Sequence, residues 1–545
     1  MNPGRLLLLF CVVSQLCLAQ GKAPAAKTAD LGLTAVGRQH HPIHTGSKEA
    51  QEYFDQGITL LYGFNHEEAE RAFEKAAQLD SASPMPLWGI AMAVGPNYNS
   101  DVDAEREKLA FESIQKARKL AEQAPAVEKD YVSALATRYS GETKPDYKRL
   151  ARTYANQMRQ VSQKYPDDLD AATLYAESLM NLNPWKLWSV DGKPGEHTEE
   201  IVRALESVLQ REPLHAGANH YYIHAMEASP NPERAIPSAQ RLEAMVPKAG
   251  HLVHMPAHIY ARVGNFSGAA ESNVRAIEAD VAYAKEAEQT GSMYDLMYHS
   301  HNEHFLAYAA SMEGRYAEAK RAGDGLQRRL LPHAQMMPML DAFLWTPIWV
   351  DLRFAKWDAI LGRPEPASEL KISHLMWRYS RAIAYAARKD AAKASAEQAF
   401  FAQESAALPP DAGFAEMNRA AEVLSVANEV LAARLDAANG RTESAIAHWQ
   451  QAVRAQDKLN YDEPPDWYYP VRESLGAALL VSGKAKEAEG VFREDLRRNP
   501  RNPRSLFGLK GSLAAQHADS DATWVERQFR DAWKNADVEL KLGDL

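Results

Sequence analysis

The chain has 545 residues and a formal charge of −10, with 72 acidic side chains interspersed among 62 basic ones. No stripe of Lys and Arg with aromatics between them runs along it, so nucleic acid is not expected as a partner. Composition hardly changes from end to end, which suits one repetitive architecture better than several unlike domains.

In chain order, the first element is a secretory leader pattern: Arg5, the apolar run Leu6 to Val13, and Cys17-Leu18-Ala19 before Gln20. This pattern predicts a signal peptide over 1–19 and a periplasmic or secreted protein. The apolar run is too short to cross a bilayer, and no later stretch offers about 20 apolar residues, so no membrane span is expected in the mature chain. Cys11 and Cys17 are the only cysteines and both lie in the leader, which removes disulfides and thiolate metal sites from the mature protein. Residues 20–47, rich in Ala, Gly, Thr and Lys and carrying His40, His41 and His44, lack a sustained hydrophobic period and read as a flexible arm. From Lys48 to the end, Ala, Leu, Glu, Lys and Arg recur at helical spacing between short Pro, Gly and Asn turns, and alternating strand patterns are nearly absent.

The repeat is plainest at the two ends, as Gly57, Ala69, Phe73 and Ala76 and again as Gly476, Gly483, Ala488, Phe492 and Pro500. Small residues let two antiparallel helices approach, and the Phe fills the gap toward the next hairpin. In the middle, Gly264, Phe266 and Ala269 match Gly314, Tyr316 and Ala319 at an offset of 50, while Ala235 precedes Ala269 by 34. The longer offset predicts an extended second helix through Ala279 to Gln289 and a connector near Gly291. Weaker units fit Asp168 to Leu182, Trp345 to Trp357 and Trp377 to Ala387. These residues resemble the tetratricopeptide repeat superfamily, in particular uncharacterised secreted bacterial repeat proteins with a histidine-bearing centre. The resemblance covers most of 48–545, with histidine-bearing repeats at about 215–320 and clear C-terminal repeats at about 430–515, and roughly eight to twelve hairpins fit the length. It implies an all-α, right-handed superhelical solenoid of antiparallel helical hairpins and a scaffold that holds a protein or peptide in its concave groove.

Counting back 15 residues from Ala235, Ala269 and Ala319 reaches His220, His254 and His304. Counting back 11 reaches His224, His258 and Tyr308, and counting back 18 reaches Gly217, His251 and His301. In the superfamily these registers lie on the first helix of each hairpin and face the groove. His220 and His224, like His254 and His258, stand at i,i+4, so both imidazoles of a pair reach one point. Seven histidines in three registers are candidate ligands for zinc, copper, iron or nickel, with Glu227 and Glu303 as carboxylates that orient the imidazoles or join the ligand set. Pro256 between His254 and His258 marks a helix start or kink and breaks their helical spacing.

Three functional readings remain open on the sequence: a metal-holding binding protein, a metal-dependent hydrolase or oxidoreductase with Glu227 or Glu303 as base, and a metal-free peptide groove. The aromatic stretches Pro184-Trp185 with Trp188, and Tyr461 to Pro470, read first as packing and second as ligand contacts. No Gly-rich phosphate loop, nucleophile elbow or His-Glu-x-x-His helix is present.

Overall fold

The structure is a computed structural model that describes residues 39–286, 291–415 and 417–545. The leader 1–19 with both cysteines, and residues 20–38 of the expected arm, lie outside the described residues. The described part of that arm, residues 39–47, is held by side chains: His41 is buried, and Gln51 accepts the backbone N–H of Ile43 and donates to the carbonyl of His41.

The helices follow one another as α1 (Lys48–Tyr62), α2 (His66–Leu79), α3 (Met85–Ala93), α4 (Ala104–Ala121), α5 (Ala126–Leu135), α6 (Tyr147–Lys164), α7 (Leu169–Met180), α8 (Thr198–Arg211), α9 (Ala216–Glu227) and α10 (Ile236–Met245). Then come the short α11 (Gly250–His254), α12 (Pro256–Arg262), the long α13 (Phe266–Glu286), α14 (Ser300–Met312) and α15 (Tyr316–Leu330). The remainder is α16 (Asp341–Leu344), α17 (Thr346–Arg353), α18 (Trp357–Leu361), α19 (Lys371–Ala387), α20 (Ala391–Ala406), α21 (Ala420–Ala438), α22 (Thr442–Gln456), α23 (Val471–Val481), α24 (Ala485–Arg498), α25 (Pro503–Ala515) and α26 (Asp519–Ala532). Among the described residues there is no β-strand, only three isolated bridges. The fold is all-α, a tetratricopeptide-like solenoid of antiparallel hairpins. It divides into two compact units, one comprising the residues up to Ile259 with Val274–His299, the other Tyr260–Asn273 with Ser300–Leu545.

Local chemistry sets the helix starts. Ser47, Asp103, Asp146 and Asp168 each accept a backbone N–H of the first turn that follows, and such caps contribute about 1 kcal/mol apiece. The repeated Gly and Phe positions do what their spacing implies. Phe73 is fully buried between α1 and α3, and a Cβ at Gly57 would fall 2.5 Å from its ring; Gly89 on α3 leaves the same room on the other side. In the second unit Phe492 lies likewise between Gly476 and Gly508. Each such ring is worth roughly 1.5–3 kcal/mol of burial, and only a glycine on each flanking helix admits it.

Two departures from regular repeats bear on the site. Pro256 ends one helix and opens another: α11 stops at His254, Met255 forms the joint, and α12 starts on the proline, whose ring cannot follow a preceding helical turn. The i,i+4 helical spacing of His254 and His258 is therefore interrupted. Ala235 belongs to the 3₁₀ turn Pro232–Ala235 that leads into α10. The long α13 runs through Ala279 to Glu286 and, with a turn at Gly291 (φ 79°), accounts for the wider offset of the middle repeats; the remainder of the expected helix to Gln289 lies outside the described residues.

Candidate metal centre

The first unit gathers five of the seven histidines around α9, α11 and α12. Their placement begins at the close approach of α9 to α1. A Cβ at Gly217 would fall 2.6 Å from the Tyr62 ring, so glycine here admits Tyr62, and Gly217 occupies the register held by histidine in the following repeats. One turn on, His220 Nδ1 donates to the Tyr62 carbonyl at 2.5 Å. A carbonyl can only accept, so the proton is on Nδ1 and the Nε2 lone pair is bare. Phe64 then closes the floor. It takes the left-handed turn position (φ 55°) that Gly264, Gly314, Gly440 and Gly483 take in other hairpins, at a cost of about 1–2 kcal/mol for a residue bearing Cβ. Its ring centroid lies 4.6 Å from His220, 5.8 Å from His224 and 5.7 Å from His251.

Glu227, one turn beyond His224, ties two of the imidazoles. Its Oε1 accepts from His224 Nδ1 at 3.1 Å and its Oε2 from His258 Nδ1 at 2.7 Å. Both rings are thereby held with the proton on Nδ1, the tautomer that metal-binding histidines take when a carboxylate orients them from behind. His224 Nε2 is buried and has no protein partner. On α11, His251 Nε2 faces His220 Nε2 at 3.2 Å, and its Nδ1 is buried without a partner. His254 Nε2 faces His258 Nε2 at 2.6 Å. The α11 backbone is set by Tyr294, whose hydroxyl accepts from the His251 N–H and donates to Asp280; any side chain at Gly250 would strike the Asp280 carboxylate.

One ligand atom from each of His220, His224 and His251 lies within 4.8 Å of the other two. All five imidazoles and Glu227 are buried, His220 and His254 completely. Burial first, and the neighbouring imidazoles second, hold His220, His224 and His251 well below the usual histidine range. They are neutral, which is the form that binds a metal.

His301, Glu303 and His304 lie on α14 in the second unit. Glu303 pairs with Arg329 at 3.2 Å. His304 is packed against Phe343 and Tyr468, with centroids at 5.2 Å, and burial pulls it down to about 3.

Sequence reasoning missed several parts. The Tyr62 acceptor is a backbone atom and leaves no trace in residue types; Phe64 was detectable only as a bulky residue where repeats carry a glycine. A second cluster was missed altogether: Asp170 accepts from Tyr62 Oη at 2.6 Å, His41 Nδ1 at 2.8 Å and Gln39 Nε2 at 3.2 Å, and pairs with His215 at 3.2 Å. The aromatic stretch of Pro184, Trp185 and Trp188, read first as packing, does pack, but against the centre. Trp188 Nε1 donates to the Ala225 carbonyl on α9, and Trp185 (φ 59°) stacks on Tyr98 at 5.3 Å, with its ring centroid 5.9 Å from that of His224 in a T-shaped arrangement. In the second unit, the Tyr461 to Pro470 connector buries Trp467 and Tyr468 against Trp349.

The class that fold and site define is a tetratricopeptide-like α-solenoid with a buried imidazole centre. No protein-family model and no curated protein matches the chain. Among solved structures, a human IFIT1 dimer with PPP-AAAA is 13% identical, with a TM-score of 0.32 over 94% of this chain and 96% of that one. Yeast Tom70 is 12% identical with a TM-score of 0.28 over 88% and 92%, and Cut9 with Hcn1 from an APC/C hetero-tetramer 13% identical with 0.29 over 91% and 95%. No helix of the described residues is long and apolar enough to cross a membrane.

Proposed function

We propose that the protein is an exported tetratricopeptide-like binding protein whose first unit holds a transition-metal ion on His220, His224 and His251. One observation carries the reading: three neutral imidazoles converge within 4.8 Å, and two of them, His220 and His224, are locked from behind by acceptors at Nδ1. A peptide cannot reach side chains this deeply buried, whereas an ion can, which favours metal over a groove ligand at these residues. Imidazole donors without thiolate suit zinc, copper, iron or nickel. Export is supported by the leader pattern at 1–19, and a protein or peptide partner remains the natural cargo of the hairpin surfaces outside this centre. A metal-dependent hydrolase is the weaker reading, because both Glu227 oxygens are engaged in orienting imidazoles and are poorly placed to act as a base.

The test is elemental analysis of untagged protein purified without chelator, beside a His220→Ala, His224→Ala variant. Near-stoichiometric metal that is lost in the variant, with helicity unchanged, is the expected result. A wild type still empty after incubation with all four metals refutes the reading.

A further inference from the structure

The first unit carries a second set of buried polar atoms, away from the imidazoles, that the metal reading does not use. We propose that Arg138, Glu177 and Asn181 form a binding site for a small zwitterion of the α-amino-acid type. The site stands on its own contacts and does not depend on a metal.

Arg138 lies three residues beyond α5, Glu177 stands on the last turn of α7, and Asn181 caps that helix. The two charged side chains are each only 4% exposed. A buried pair of this kind is stable only when close and fully hydrogen-bonded, yet Arg138 Nη2 and Glu177 Oε1 stand 3.9 Å apart, beyond hydrogen-bond reach. Each is held back by another partner. Arg138 Nη2 donates to the Pro96 carbonyl at 2.9 Å, and its guanidinium lies over the Tyr154 ring at 4.9 Å. Glu177 Oε1 accepts from Asn181 Nδ2.

The remaining atoms are left over in a matched pattern. Arg138 Nε and Nη1, Glu177 Oε2 and Asn181 Oδ1 are all buried without a hydrogen-bond partner, whereas most buried side-chain polar atoms are paired. The orphaned nitrogens donate from a cation and call for an anionic acceptor. The orphaned oxygens accept, one of them from a carboxylate, and call for a cationic donor. An α-amino acid carries both charges one carbon apart: its carboxylate meets the guanidinium, and its ammonium meets Glu177 and Asn181. A plain carboxylic acid would bring a second negative charge to Glu177, and a plain amine a second positive charge to Arg138.

The site and the imidazole centre share one segment. Two residues beyond the Pro96 carbonyl, the Tyr98 ring lies 5.2 Å from His224 and 5.3 Å from Trp185.

The experiment is isothermal titration calorimetry of the full chain with glycine, L-alanine, L-glutamate, L-lysine and L-phenylalanine, each beside its N-acetyl and its carboxamide form. At least one free amino acid should bind, and each cap, by deleting one charge, should weaken it about 10- to 100-fold. The Arg138→Met, Glu177→Met variant, which removes both charges together, should lose binding with its helicity by circular dichroism unchanged. No heat from any of the five, binding that either cap leaves unchanged, or binding retained by the variant overturns the proposal; the three residues are then a hydrated structural pair. The capping comparison uses the wild type alone, so it decides even where the variant fails to fold. Elemental analysis of the same protein decides the metal reading separately, and neither result alters the other.

Discussion

Replacing Glu227 with Gln is the most informative single change, because it preserves shape and removes one acceptor. The carboxylate accepts two N–H groups, from His224 at 3.1 Å and from His258 at 2.7 Å. A carboxamide has one oxygen and one NH₂ group, so it can serve only one of them. The other imidazole then faces a donor, must turn its bare nitrogen to Nδ1, and carries its proton on Nε2, where it blocks coordination. Loss of an orienting partner of this kind typically costs 10–100-fold in metal affinity, which corresponds to about 1.4–2.8 kcal/mol. Zinc affinity measured by competition with a chromophoric chelator should fall within that range, with helicity intact. An affinity equal to that of the wild type would show that Glu227 does not set the imidazole tautomers and would remove the basis for ligation through Nε2.

Three further outcomes test the framework around the centre. Gly89→Ala forces a methyl group into the Phe73 ring, and such overpacking should cost about 1–3 kcal/mol in denaturant unfolding; no change would mean the hairpins are not locked through Phe73. Asp170→Asn removes a buried acceptor shared by Tyr62, His41 and Gln39 and should cost roughly 3–5 kcal/mol. Its pH dependence follows from two opposite shifts: despite burial, Asp170 holds His41 above its usual 6.5, and despite burial, His215 and His41 hold the Asp170 carboxyl well below 3.8. The His41 contribution is complete below pH 6.5 and is lost as pH rises through its raised value; that of Asp170 is complete above pH 3.8 and is lost only in stronger acid. The gap between wild type and variant should therefore be widest from about pH 4 to 6.5 and narrow in alkali, and a gap that grows above pH 7 would contradict the assignment. Finally, copper(II) bound beside His224 should quench Trp185, whose ring lies 5.9 Å away; Trp185→Phe should lose part of the metal-dependent fluorescence change, and an undiminished change would place the ion elsewhere.

How far the sequence could be read depended on the range of the interaction. Hairpins repeat every few dozen residues, and their Gly and Phe positions are local, so Gly57 and Phe73 at one end and Gly476 and Phe492 at the other were legible as helix contacts. His220 and His224 were legible for the same reason, being one turn apart on α9. The contribution of α11 was not, because Pro256 breaks the helix and the aim of His251 is set by Tyr294 and Asp280. His41 looked like part of an arm because its partner Asp170 is 129 residues away, and no periodic pattern records such a pairing.

The partners of Nδ1 and Nε2 separate structural histidines from candidate ligands better than residue type or burial does. His215 is as buried as His224, yet its Nδ1 accepts from the Ala218 N–H as an N-cap, which places the proton on Nε2 toward Asp170. That ring has no lone pair left for a metal. His374 has a carboxylate at each nitrogen, Glu404 and Glu365, both at 2.8 Å, and is a bridge between acids. In His220, His224 and His258 the pattern is reversed: Nδ1 donates to an oxygen that can only accept, and Nε2 is turned toward the centre. His220 and His258 each face a second imidazole, His251 at 3.2 Å and His254 at 2.6 Å, that can donate from Nε2, whereas His224 Nε2 is buried with no protein partner. A cation beside His224 would satisfy that buried lone pair. With the two cysteines at positions 11 and 17, the proposed ion would meet imidazole rather than thiolate at these residues.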